Sequence, residues 1–217
     1  MNSEKTSAVL AKLYDIGIIP VVVLNRAEDA APLGKVLLEG GLPAAEVTFR
    51  TDAAEESIRI MASEYPDLYV GAGTVLTTDQ AERAVRAGAK FIVAPGFDPE
   101  LVDYCLARDI PICPGIQTPS ELTQAVKKGL DHVKFFPAEN AGGLPMINAV
   151  GAAFPHVKFM PTGGISAANA EAYLRSPRIF WCGGSWMVKG SLIEGGQFDT
   201  IRSLVREAAG LVKEIRG

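Results

Sequence analysis

A lysine set inside an apolar run, His132-Val133-Lys134-Phe135-Phe136-Pro137, is the first place in this chain where chemistry suggests itself. An ammonium held among valine and phenylalanine loses much of its solvation, which favours the neutral amine. A neutral amine attacks a ketone and gives an imine. Lys134 alone among the lysines lies inside an apolar run close to its C-terminal end, whereas Lys158 only begins one. The bland alternative is a lysine whose stem is covered and whose head reaches solvent at the rim. A second run reads Ala45-Glu46-Val47-Thr48-Phe49-Arg50-Thr51. In a strand, side chains alternate, so Glu46, Thr48 and Arg50 share one face and Val47 and Phe49 the other. The apolar pair belongs against covering helices, which leaves Glu46 and Arg50 facing inward. Arg50 there suits bidentate capture of a carboxylate. A structural Glu46–Arg50 ion pair is the competing explanation.

These residues need elements that aim them, and the rest of the chain supplies a repeating pattern. Apolar, strand-length runs occupy 18–24, 44–49, 69–75, 91–96, 111–116, 132–137, 158–164 and 179–185. Polar, helix-periodic stretches separate them. Thr78-Asp79, Pro119-Ser120-Glu121 and Ser166 read as helix starts, and Gly40, Gly88 and Gly129 fall where helix C-caps belong. Residues 3–15 form an extra leading helix in this reading, and 198–215 the last one. Strands apolar on both faces imply a parallel sheet covered by helices. Near-equal βα repeats filling 217 residues favour a (β/α)₈ TIM barrel, one domain over 1–217, above an open doubly wound sheet. No GxGxxG follows the first run, so the usual reason to propose a dinucleotide fold is missing.

In such a barrel the reacting groups sit at the C-terminal strand ends. Gly71-Ala72-Gly73-Thr74 ends the third run, with backbone that a ligand could approach and a hydroxyl to bind a carboxylate. Thr162-Gly163-Gly164 ends the seventh run and Gly183-Gly184-Ser185 the eighth. Those two positions commonly hold phosphate on backbone N–H groups. Tight turns alone would also explain the glycines. His132 and His156 lie at strand starts, away from that end, and make no metal-ligand cluster with Asp or Glu, so no metal is expected.

Composition excludes several classes. Net charge is -4 with no block of like charges, which speaks against a nucleic-acid surface. Cys105, Cys113 and Cys182 are odd in number and lack CxxC spacing, so reduced, buried thiols are expected. The start of the chain has no signal-peptide pattern, and the longest apolar run, 16–24, is too short for a membrane span and carries Pro20. A cytoplasmic protein with no membrane and no nucleic-acid partner is the expectation.

Taken together, Glu46-Val47-Thr48-Phe49-Arg50-Thr51, Gly71-Ala72-Gly73-Thr74-Val75, Lys134-Phe135-Phe136-Pro137-Ala138-Glu139, Pro161-Thr162-Gly163-Gly164-Ile165 and Gly183-Gly184-Ser185-Trp186 closely resemble the KDPG/KHG aldolase family. KDPG is 2-keto-3-deoxy-6-phosphogluconate and KHG is 4-hydroxy-2-oxoglutarate. The resemblance implies a class I aldolase acting on a small 2-keto acid. Lys134 would be its Schiff-base lysine and Glu46 its general acid/base. Arg50, Thr74 and Pro95 would hold the pyruvate moiety, Thr162 the substrate chain, and Gly163, Gly164, Gly184 and Ser185 the phosphate. It also implies a homotrimer that needs no metal or organic cofactor. Many relatives carry Arg where Val23 stands, including those acting on the galactonate epimer, so Val23 implies either the gluconate substrate or looser phosphate or substrate contacts here. Rival readings are a galactonate-epimer aldolase, a phosphate-binding epimerase or isomerase using Glu46 as a base, and a non-catalytic barrel that binds a 2-keto acid.

Overall fold

A computed structural model describes residues 4–217. Helix α1 (Glu4–Ile16) precedes the barrel. The units that follow are β1 (Ile18–Val22) with α2 (Ala30–Gly40), β2 (Ala44–Thr48) with α3 (Ala54–Glu64), and β3 (Tyr69–Gly73) with α4 (Thr78–Arg86). Next come β4 (Ile92–Val93) with α5 (Pro99–Ala107) and β5, in two pieces at Ile112–Cys113 and Gly115–Ile116, with α6 (Pro119–Lys127). The last units are β6 (His132–Phe135) with α7 (Gly143–Ala152), β7 (Lys158–Pro161) with α8 (Ala170–Leu174), and β8 (Cys182–Gly184), followed by α9 (Gly190–Glu194) and α10 (Phe198–Arg216).

The strands pair in parallel, β8 beside β1 and onward through β5, then β5 through β7. The seam between β7 and β8 is closed by single bridges at Phe159–Ile179 and Thr162–Gly183. The sheet therefore returns on itself, as expected of the barrel, with an extra N-terminal helix. Pro114 divides β5 because proline has no N–H to give to a ladder.

Sequence chemistry explains several helix ends. The Thr77 hydroxyl accepts from Gln80 N–H, Asp98 from Glu100 N–H, and Thr118 with Glu121 makes a reciprocal capping box. Gly88 and Gly129 leave their helices at positive φ. Two boundaries differ from the sequence reading. The left-handed cap of α2 is Gly41, at φ 90°, and Gly40 has a different role. A methyl at Gly40 would lie 2.4 Å from Val205 Cγ1, so this glycine lets α10 pack close to α2. Ser166 does not open α8, which begins at Ala170. The intervening turn is tied down by Asn169, whose side chain accepts from Ser166 N–H and donates to Gly164 O.

Helix α10 packs against α2 and β1 with Ile201, Val205, Ala208 and Val212, a spacing that keeps one apolar stripe on the core. Inside the barrel, Phe91 fills the space opposite Gly71, where a Cβ would come within 2.3 Å of its ring. Phe91 thus fills the barrel interior at the level of Glu46, which is paired with Gly71, and in this fold the chemistry belongs to the C-terminal strand ends.

Candidate active site

Register sets the level of each group. Glu46 lies opposite Val21 and Gly71, and Lys134 opposite Gly115 and Met160. Both charged side chains point into the barrel and both are buried, Glu46 at 0% and Lys134 at 3% exposure. Nζ of Lys134 stands 3.5 Å from Glu46 Oε1, long compared with about 2.8 Å for a well-formed charge-assisted bond. Glu46 Oε2 is buried with no partner. Two charges held in such a place need a reason beyond stability, because a loosely made buried pair recovers little of its desolvation cost.

Their neighbours keep them in reach of each other. The Lys134 ammonium lies over the Phe136 ring, 5.2 Å from its centroid. Gly73 makes room for the carboxylate, since a Cβ there would sit 2.1 Å from Glu46 Oε1. Thr48, next on the inward face, donates to Val22 O at 2.9 Å and is structural. Below lies Cys113, whose thiol faces Met160 Sδ at 3.9 Å. Burial pushes that thiol well above the ordinary range, so it stays protonated and does not compete with Lys134 as a nucleophile.

Arg50 lies past the end of β2 and is exposed. Its Nε donates to Thr74 Oγ1 at 3.2 Å. Thr74 itself has φ 54°, a left-handed conformation unusual for a branched residue. Among the described residues the ion pair of Glu46 is with Lys134, not with Arg50. Pro95, at the end of β4, is half-buried, and its carbonyl would be 2.1 Å from a Cβ on Gly115. Thr162 is 7% exposed, and its hydroxyl is buried without a partner. Gly163 and Gly164 follow at φ 98° and 81°, which favours glycine at both. Gly184 is buried beneath Trp186, whose ring would be 2.0 Å from a Cβ there, while Ser185 is exposed. Val23, one step beyond β1 on the inward side, is half-buried.

The fold thus brings Glu46 and Lys134 together and places Arg50, Thr74, Thr162 and the two glycine turns around the same strand ends. Sequence reasoning missed Cys113 as part of this setting. It read the glycines of β3 as backbone that a ligand approaches; within the chain, Gly71 makes room for Phe91 and Gly73 for Glu46. The signal available was parity: Gly71 and Gly73 lie on the face of Glu46. Among the described residues no cluster of His, Cys, Asp and Glu could hold a metal ion.

Comparison with known proteins agrees with this geometry. A family model described as "KDPG and KHG aldolase" matches residues 9–204. A 2-dehydro-3-deoxy-phosphogluconate aldolase of Treponema pallidum is 44% identical over 204 residues, 94% of this chain and 97% of that protein. The KHG/KDPG aldolase of Escherichia coli K12 is 43% identical, with 96% and 97% covered. A KDPG aldolase crystal structure from Legionella pneumophila, with pyruvate captured as a covalent carbinolamine, superposes at TM-score 0.88 with 40% identity over 94% of this chain and 97% of that one. With a buried lysine and carboxylate meeting at the mouth of the barrel and this likeness along nearly its whole length, the chain belongs to the KDPG and KHG aldolase family, class I lyases that cleave a carbon–carbon bond.

Proposed function

We propose that this chain cleaves 2-keto-3-deoxy-6-phosphogluconate to pyruvate and glyceraldehyde 3-phosphate, and 4-hydroxy-2-oxoglutarate to pyruvate and glyoxylate, through an imine on Lys134. The observation that carries the reading is the buried Lys134 Nζ and Glu46 Oε1, 3.5 Å apart at the functional end of the barrel. Lys134 Nζ adds to the C2 ketone to give a carbinolamine, whose hydroxyl takes a proton from the acid form of Glu46 and leaves as water, giving a protonated imine. That cation draws in the electron pair of the C3–C4 bond as the bond breaks, giving an enamine. Glu46 accepts the proton of the C4 hydroxyl, and the aldehyde leaves. The acid so formed returns its proton to C3 of the enamine, and water then releases pyruvate and free amine.

The remaining groups bind. Arg50 and Thr74, already paired, face the pyruvate carboxylate beside Pro95, and the unpartnered Thr162 hydroxyl meets the substrate chain. Gly163, Gly164, Gly184 and Ser185 receive the phosphate, whose binding away from the reacting bond positions C4 over Glu46. The half-buried Val23 leaves that side of the mouth apolar, which supports the gluconate substrate over its epimer. The family resemblance supports a single catalytic domain assembled as a cytoplasmic homotrimer, an assembly that sedimentation equilibrium measures directly.

Borohydride reduction after incubation with pyruvate tests the chemistry. A pyruvyl adduct mapped to Lys134 is expected; folded protein that gives no adduct overturns the imine reading.

A further inference from the structure

Just beyond the catalytic lysine, the turn after β6 carries Glu139, which α7, α8 and the turn after β7 surround. Tyr173 of α8 donates its hydroxyl to Glu139 Oε1. In the first turn of α7, a Cβ on Gly143 would lie 3.0 Å from both Glu139 Oε1 and the Tyr173 hydroxyl, so that glycine leaves room for the contact. The Glu139 stem lies across Gly164, where a Cβ would come within 2.6 Å of Glu139 Cβ and Cγ. Its backbone completes the contact, with Ala138 N–H donating to Thr162 O at 2.8 Å and Glu139 N–H to Gly163 O at 3.0 Å. The segment after the lysine strand is therefore locked onto the Thr162–Gly164 turn.

A carboxylate beside that turn is an electrostatic problem if a phosphate binds there, because like charges at close range repel. Left free, the exposed end of Glu139 could rotate toward the anion. The structure has it turned the other way, toward α7 and α8, and held there by a phenol that is 2% exposed. Burial first, and then the neighbouring carboxylate, push the Tyr173 phenol above its ordinary range, so it remains a donor. Nothing in the imine chemistry uses Tyr173 or Glu139.

We propose that Tyr173 is a positioning residue for substrate choice: by pinning the Glu139 carboxylate away from Gly163–Gly164, it keeps that turn open to a phosphomonoester. The proposal rests on the phosphate placement above. Tyr173→Phe removes the donor and keeps the ring. It raises KM for the phosphorylated substrate about fivefold and leaves its kcat, and both constants for 4-hydroxy-2-oxoglutarate, within about twofold. Adding Glu139→Gln to Tyr173→Phe removes the charge and restores the phosphorylated KM. Inorganic phosphate, titrated into each protein while tryptophan emission from the Trp186 side of the pocket is followed, ranks the variants in the same order without any turnover. Equal changes for both substrates, or phosphate binding as tight in Tyr173→Phe as in the unaltered protein, overturn the positioning role. Unaltered protein that binds phosphate but gives no Lys134 adduct with pyruvate overturns the imine reading instead and leaves the phosphate comparison to decide Tyr173.

Discussion

The two ends of this barrel treat buried polar groups in opposite ways. At the N-terminal end nearly every polar group near the core is matched. His132 engages Asp131 through Nδ1 at 2.7 Å and the Ile112 carbonyl through Nε2 at 3.1 Å. The half-buried Arg216 donates to the carbonyls of Tyr14 and Phe180, at 2.5 and 3.0 Å, and of Ile179 at 3.4 Å. Lys158 donates to Pro177 O at 2.6 Å. The Trp181 indole N–H, buried without a partner, is the exception, and nothing in the structure explains it. At the C-terminal end the pattern reverses. Glu46 Oε2 and Thr162 Oγ1 are unmatched, the Lys134–Glu46 contact is long, and Thr74 sits at positive φ. Unmatched buried polarity costs about 1–3 kcal/mol per group. One end uses its hydrogen bonds to hold the barrel shut, and the other leaves polar groups unmatched.

Five experiments break or sharpen that contrast. The largest effect is expected at Lys134. Lys134→Ala abolishes cleavage and the borohydride adduct while circular dichroism shows a retained fold; turnover in that variant would end the mechanism. A companion, Lys134→Met with Glu46→Gln, replaces the buried charges, and its Tm is expected at or above that of the parent, since removing both members of such a pair is often neutral or stabilising. A fall of several degrees would mean that the pair serves stability after all. Next, Glu46→Gln still forms the pyruvate adduct, but kcat drops by about 10²–10⁴. A near-normal kcat would take Glu46 out of proton transfer.

At the other end the effect should move from rate to stability. Arg216→Met leaves the carbonyls of Tyr14, Ile179 and Phe180 without their donor and is expected to cost about 2 kcal/mol in urea unfolding, with kcat/KM unchanged. A large loss of activity at unchanged stability would contradict the division between the ends. The smallest effect concerns Thr74→Gly. Release of the left-handed strain, offset by glycine's greater chain entropy, gives about 1 kcal/mol or less of net stabilisation. The loss of a hydroxyl beside Arg50 raises KM several-fold for both substrates. Destabilisation with unchanged KM would mean that Thr74 belongs to the scaffold.

Much of this contrast is legible before any coordinates. A charge inside a run apolar on both faces has no structural excuse in a covered parallel sheet, and that singles out Lys134 and Glu46. The repeat of strand-length and helix-periodic stretches specifies the barrel, and the barrel rule says which strand ends carry chemistry. The helix ends are also readable where capping is local, as in Thr118 with Glu121. Other features belong to contacts between segments distant in sequence. Gly40 reads as a cap and is instead the place where α10 approaches, because Val205 occupies the space its side chain would need. Gly71 and Gly73 read as backbone near a ligand, and only the fold shows that Phe91 and Glu46 fill the gaps beside them. The Tyr173–Glu139 contact links residues 34 apart on separate units, with no pattern in either segment to announce it. Sequence by itself determined which residues are chemically out of place, because burial patterning is local and periodic. Only tertiary structure decided which of them meet, and at what distance, because closing the barrel brings Lys134 to Glu46 across 88 residues of chain.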